Sequence, residues 1–156
     1  MVEGDLFAQP VDAIVNPWNR NVLPWWLLLP TGVAGALRKQ AGNQPFRELG
    51  RKGRLEPGAA VDTSAGRLPF QRIIHVACIG TRSNSSAELV RLSAANAVAL
   101  AERLGLRSLA FPLLGAGAGS LDPRSAEATL LNSLEPLSSG LRALVVRYRE
   151  SSPEPV

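Results

Sequence analysis

Cysteine is nearly missing from this chain: Cys78 stands alone among 156 residues. That excludes an internal disulfide framework and a multi-cysteine metal site. Lysine is almost as scarce, with Lys39 and Lys52 the only two. Arginine carries the remaining positive charge, a usage that more often reflects a GC-rich genome than a binding code. No apolar run approaches the roughly 20 residues that a bilayer-spanning helix needs. The longest candidate, "VLPWWLLLP", is too short and carries Pro24 and Pro30. The opening "MVEGDLFAQP" has neither a basic n-region nor an apolar h-region, so no secretion signal is expected. Together these absences predict a cytoplasmic protein with no membrane contact. Aromatic residues make up only 5% of the chain, yet Trp18, Trp25 and Trp26, its three tryptophans, all fall between Asn16 and Gly35.

What is present describes a globular chain, with 46% hydrophobic and 19% charged residues. The length suits one domain, residues 1–150, with 151–156 a frayed tail. The net charge is +4 and the pI near 10.2. Arg38, Lys39, Arg47, Arg51, Lys52 and Arg54 cluster against only Glu48. Such a cluster suits an anionic partner, nucleic acid or a phosphorylated small molecule, and it equally suits a solvated helix face.

Strand and helix patterns alternate along the chain. "DAIVNP" is short and β-branched, followed by turn formers, as in a buried strand. "TGVAGALRKQAG" reads as a helix that Thr31 caps and Gly42 ends. "GAAVDTSAG" and "RIIHVACIG" are two further strands. The segment from Ser86 to Leu104 is the strongest helix, with Leu89, Leu92, Asn96, Leu100 and Leu104 nearly in line. "RSLAFPLLG" is a strand that enters a glycine-rich turn. "DPRSAEATLLNSL" is a helix with Asp122 as N-cap and Pro123 at its first position, and "LRALVVRYR" is the last strand. This order predicts a sheet covered by helices on both faces.

Ligands of such sheets bind beyond the carboxyl ends of the strands, and two joins are suited to that. In "FPLLGAGAGSLDP", glycines at 115, 117 and 119 alternate with alanines, so backbone N–H groups can converge on an anion beside a helix start. No Lys-Ser/Thr pair follows, which excludes a P-loop, and the spacing is not a dinucleotide fingerprint. A turn shaped only for helix–strand packing would look similar. The other join runs from "NPWN" to "TGVAGA". Its asparagines, Asn16 and Asn19, offer the donor and acceptor pairs that suit sugar hydroxyls, or they close the strand end.

Taken together, "EGDLF", "VDAIVNPWN", "GVAGALRKQAG", "GAAVDTSAGRLPFQRIIHVA" and "AANAVALAERLGLRSLAFPLLGAGAGS" resemble the macro domain family, in the family's order and over nearly the whole chain. The resemblance implies an α/β fold, a three-layer α/β/α sandwich with a mixed, mostly parallel central sheet, and a cleft for ADP-ribose across its crest. It implies that Asp5 accepts from the adenine amino group, with Leu6 adding a backbone contact. Asn19 would hold the distal ribose and be the catalytic residue. Gly32, Val33 and Ala34 would form the first phosphate loop, and Gly115, Ala116, Gly117, Ala118 and Gly119 the second. It implies no cofactor or metal, ADP-ribose being ligand or product, and an ADP-ribosylated protein as partner. Diphosphate held by backbone amides would explain why these loops lack lysine.

Two departures matter. Asn19 lies 14 positions before Val33, longer than the family's usual spacing, and "PWWLLLPT" replaces a glycine run. Ala34 stands where the family's hydrolase branch often has an aspartate thought to help activate water. By resemblance, cleavage would then rely on a substrate phosphate and a held water. Three functions follow from this reading: a hydrolase that removes mono-ADP-ribose from acidic side chains, a non-catalytic reader of ADP-ribosyl groups, or nucleic-acid binding through the Arg38–Arg54 cluster. Trp25 and Trp26 are a candidate apolar wall beside the reacting sugar, a plug packed on a helix, or a partner surface. His75, mid-strand, suits a packed role as well as a catalytic one, and Cys78 reads as a small buried apolar residue.

Overall fold

In the computed structural model the described residues are 1–21, 23–27, 32–80, 85–117, 120–137 and 140–148. Strands β1 (Val2–Gly4), β2 (Ala13–Trp18), β3 (Ala60–Thr63), β4 (Arg72–Ala77), β5 (Ser108–Phe111) and β6 (Arg142–Tyr148) are joined with helices α1 (Gly32–Ala41), α2 (Gln44–Arg51), α3 (Ala87–Arg103) and α4 (Pro123–Leu134). The six strands form one sheet in the order β1-β6-β5-β2-β4-β3. All neighbours are parallel except β3, which runs antiparallel on β4.

The β-branched run of β2 is central, and side chains alternate across it. Ala13 and Val15 join the core beneath α3 and α4. Ile14 and Trp18 join the opposite core with Leu37 of α1 and with Phe46 and Leu49 of α2. The result is the three-layer sandwich, with one helix pair on each face. Ser86 caps α3 by accepting from Leu89 N at 3.1 Å, and Asp122 caps α4 by accepting from Ser125 N at 3.0 Å. Gly42 ends α1 at φ +86°, a conformation that glycine adopts without Cβ strain. The expected cap at Thr31 lies outside the described residues, as do 151–156.

Two elements exceed the sequence reading. β1 is a three-residue edge strand, too short to show a period. α2 follows α1 after a two-residue break at Gly42 and Asn43, with Pro45 in its first turn. The buried face of α3 also differs from the leucine stripe. Val90, Ala94, Ala97, Val98 and Ala101 fill the core, whereas Leu92 and Leu104 are 45% and 37% exposed. Small side chains bring this helix close to the sheet, which leaves Leu92 and Leu104 at its margin, while Leu100 of the same stripe is buried in the core. Leu92 lies over Gly58, where a Cβ would stand 2.6 Å from it.

Candidate functional site

The sheet opens between its two middle strands. β2 pairs with β4 along its whole length, from Ala13 opposite Arg72 to Trp18 opposite Ala77. Against β5 it pairs only at Ala13–Leu109 and Ile14–Ala110. Beyond that point β2 leads to α1 on one face, and β5 leads through Gly115 to α4 on the other. A pair of parallel strands whose connections leave to opposite faces is where α/β sheets bind ligands. Asp5 follows β1 on the same carboxyl edge, two strand positions beyond β5.

At the floor of this divergence the ends of β2 and β4 meet the loop after β5 at Cys78. Its thiol hydrogen-bonds backbone groups of Trp18 and Gly115, and Ile79 N donates to Trp18 O at 3.2 Å. Burial pushes the thiol up to about 12, with those backbone contacts drawing it partly back. It stays protonated at neutral pH and is no nucleophile. Gly115, at φ +84°, is fixed from above: a Cβ there would stand 2.6 Å from Leu121 Cδ1 and 2.9 Å from Val90 Cγ2.

The second loop is closed largely on itself. Leu121 N donates to Gly115 O at 2.9 Å, Ser120 N to Gly117 O at 3.1 Å and Ala116 N to Leu113 O at 3.3 Å. Gly117 has φ +63° and nothing within 4 Å of where its Cβ would be. Ala118 and Gly119 lie outside the described residues. The start of α4 is already occupied by the Asp122 carboxylate, which also accepts from Ser125 Oγ at 3.2 Å. An anion there would meet like charge, so the helix start expected to assist this loop is filled from within the chain. The start of α1 differs, because it has no acidic residue in its first turn. Gly32 opens it at φ +59° and is exposed, while Val33 and Ala34 pack partly against the core on that face.

Asp5 is exposed and caps a short 3-10 turn, its Oδ1 accepting from Phe7 N at 2.9 Å. Leu6 is buried beneath that turn. Asn19 is half-buried, and its Oδ1 accepts from Asn21 N at 2.8 Å, whereas its Nδ2 donates to none of the described residues.

Asn21 is a structural residue that sequence reading missed. At φ +57°, its Oδ1 accepts from Trp18 Nε1 at 2.8 Å. Its Nδ2 donates to Leu49 O at 2.8 Å and to Gly53 O at 3.0 Å. Arg20 adds a two-way clamp to the next connection: Leu55 N donates to Arg20 O, and Arg20 Nε donates to Leu55 O, both at 2.9 Å. The only sequence signal was an asparagine, the residue type that most readily adopts this backbone conformation after glycine. Asn21→Ala loses all three side-chain bonds and adds left-handed strain. It should cost about 2–4 kcal/mol by urea unfolding, at about 1 kcal/mol per bond plus the strain.

The tryptophans take three different positions. Trp18 is core, 5.5 Å from Phe46 between ring centroids. Trp25 packs over the helices, 6.5 Å from Phe46, with the Arg38 guanidinium 5.0 Å from its ring. A Cβ at Gly50 would stand 3.0 Å from Trp25 Cδ1, so the bare glycine lets the ring lie close on α2. Trp26 is 63% exposed. The cleft that Trp25 and Trp26 line is shared with α2 and with none of Gly115–Gly117. The rest of the expected "LPWWLLLP" feature, Leu28 to Pro30, lies outside the described residues.

His75 is enclosed in a polar chain. Asn16 Nδ2 lies 3.0 Å from His75 Nδ1, and Thr63 Oγ1 lies 2.8 Å from His75 Nε2. Thr63 donates its hydroxyl proton to Ser64 O at 3.0 Å, so it accepts from the ring, which places the imidazole proton on Nε2. Desolvation lowers the pKa to about 3, opposed by nearby Glu48 and reinforced by Lys52. The ring is neutral and structural. The same chain accounts for Asn16, whose Oδ1 meets no partner among the described residues. Glu48 accepts from Ser64 Oγ at 2.6 Å and Ser64 N at 2.8 Å, and these bonds hold its carboxyl below the usual range.

The Macro domain family's model matches residues 15–130. The chain is 33% identical over 122 residues to the human protein mono-ADP-ribosyltransferase PARP14, covering 74% of this chain and 6% of that protein. It is 33% identical over 136 residues to an O-acetyl-ADP-ribose deacetylase of Citrobacter rodentium, covering 83% and 73%. A solved Oceanobacillus iheyensis macrodomain, a mutant form with ADPR, superposes with a TM-score of 0.80 at 25% identity, covering 96% of this chain and 84% of that one. Several curated relatives are much longer than this chain, which spans 31% of a Mycobacterium tuberculosis protein. On the family match and the fold together, the chain belongs to the macro domain family.

Proposed function

We propose that this domain binds ADP-ribose along the carboxyl edge of its sheet and hydrolyses ADP-ribosyl esters, releasing mono-ADP-ribose from acidic side chains of modified proteins. The observation that carries this reading is the divergence of β2 from β5, which opens a site at the switch of connections. Asp5 lies three strand spacings from β2, about 14 Å at ordinary strand separation. That spread suits an extended ligand whose adenine meets Asp5 and Leu6 and whose distal ribose meets Asn19. Between them the diphosphate would sit on the amides of Gly32, Val33 and Ala34 and of Gly115, Ala116, Gly117, Ala118 and Gly119. With Oδ1 engaged by Asn21, Asn19 would present its Nδ2 to a ribose oxygen.

Hydrolysis adds water across the bond between the distal ribose and the carboxylate, returning free ADP-ribose and the acid. No Asp or Glu occurs between Asp12 and Glu48, so the first loop supplies no general base. In this reading the site orients the water and ribose, and a diphosphate oxygen of the substrate accepts the proton. The same lack of a carboxylate, with alanine at position 34, favours the second reading, a non-catalytic reader of ADP-ribosyl groups.

Calorimetry with ADP-ribose, followed by a release assay on glutamate-linked mono-ADP-ribosylated protein, tests both. Micromolar binding with release is expected, and Asn19→Ala should lower turnover at least 10-fold. Binding without release would make the domain a reader; absence of binding would overturn the site.

A further inference from the structure

Beside the proposed ribose position lies a cleft of about 570 Å3 between the tryptophan loop and α2. Leu23, Trp25 and Trp26 give it an apolar side, and Arg47 and Arg51 stand over it from α2. Leu23 is 56% and Trp26 63% exposed, so two large apolar side chains of one cleft meet solvent together. Arg47 and Arg51 are one helical turn apart on the same face, exposed, with no carboxylate partner among the described residues. Glu48, the acidic residue of α2, is turned to Ser64 and forms no ion pair with them. The cleft therefore offers exposed apolar area and unpaired positive charge together.

Its position is set by Asn21, which lines it and staples the loop to Leu49 and Gly53 two residues after Asn19. If Asn19 holds the distal ribose, the side chain carrying that ribose emerges at this lip. We propose that the cleft holds the polypeptide flanking the modified residue, an acidic segment that includes an apolar side chain. The proposal rests on the ADP-ribose reading of the adjoining site. Carboxylates of the segment pair with Arg47 and Arg51, and its apolar side chain lies on Trp26 and Leu23. Trp25 is less available because the Arg38 guanidinium covers it. A single strand of nucleic acid fits less well, because such strands use successive aromatic platforms and the cleft exposes one free indole.

The test uses calorimetry with three ligands: free ADP-ribose, an amide-linked, non-hydrolysable ADP-ribosyl peptide with acidic and leucine flanks, and the same peptide with neutral glycine-serine flanks. The acidic peptide is expected to bind at least 10-fold tighter than the other two, with the gain shrinking as salt rises. Arg47→Glu combined with Arg51→Glu should remove that gain and leave free ADP-ribose affinity unchanged. Lysine flanks should recover part of the gain in that variant, which a folding defect would not produce. Equal binding of acidic and neutral peptides by a protein that binds free ADP-ribose would overturn the cleft proposal alone. Displacement of the acidic peptide by oligothymidylate at equal charge would reassign the cleft to nucleic acid. Failure of free ADP-ribose to bind would overturn the adjoining site, and the proposal with it.

Discussion

Gly115→Val is expected to abolish ADP-ribose binding and to destabilise the domain by about 2–5 kcal/mol. Two costs add. At φ +84° a β-branched residue is strained by about 1–2 kcal/mol. Its Cβ would also stand 2.6 Å from Leu121 Cδ1, 2.9 Å from Val90 Cγ2 and 3.2 Å from Ser85 Oγ, an overpacking that typically costs about 1–3 kcal/mol. Leu121 N donates to Gly115 O, so a shift of this residue opens the whole second loop. Gly117→Ala is the control. It has a similar φ, +63°, but open space around the Cβ, so only the strain of about 1 kcal/mol applies. Urea unfolding and ADP-ribose calorimetry on the same samples measure both. A valine variant that binds like wild type would show that this loop does not hold the ligand.

Stability should fall as the medium is acidified from pH 7 towards pH 4, and His75 should account for most of the fall above pH 5. The ring is fully buried and neutral, with its pKa lowered to about 3 from the ordinary 6.5. Below pH 6.5 the unfolded chain binds a proton that the native ring refuses, so stability rises with pH between those two values and falls on acidification. The loss reaches about 2 kcal/mol at pH 5, at about 1.4 kcal/mol per pH unit once the unfolded ring is charged. Glu48 acts in the same direction lower down. Its folded pKa is depressed by Ser64, so its contribution is present above the ordinary carboxylate range and disappears as pH falls through the folded value. Urea midpoints at pH 7, 6 and 5 read the His75 effect. His75→Gln should be less stable at pH 7 and should show a flatter profile down to pH 5. An unchanged slope in that variant would show that another group carries the proton linkage.

Local features were legible because their chemistry is local. The β-branched run of β2, the Asp122 cap, Pro123 at a helix start and Gly42 at a helix end all act within a few residues of themselves. Their order along the chain was enough to expect helices on both faces of a sheet, and the family resemblance implied that the sheet is mixed and mostly parallel. Asn19 and the glycines of the second join could be singled out because each follows a legible strand, whereas Asp5 was marked only by resemblance to the macro domain family, since the three residues of β1 show no period.

Other features depended on partners distant in sequence. The leucine period of α3 did not reveal which side meets the sheet, since alanine and valine fill the closer contact. His75 became a neutral structural ring because Asn16 and Thr63 come from neighbouring strands and take both of its nitrogens. Asp122 could be read as a cap, but only the folded turn shows that its charge occupies the helix start beside the second loop. The tryptophan cluster is the clearest case. By itself the sequence determined that three indoles lie close together between Asn16 and Gly35; the tertiary structure decided that Trp18 ends β2 in the core, Trp25 covers α2 and Trp26 faces solvent. The reason is that burial is set by what a side chain meets, and Phe46, Arg38 and Gly50, which meet Trp25, lie at least 13 residues further along the chain.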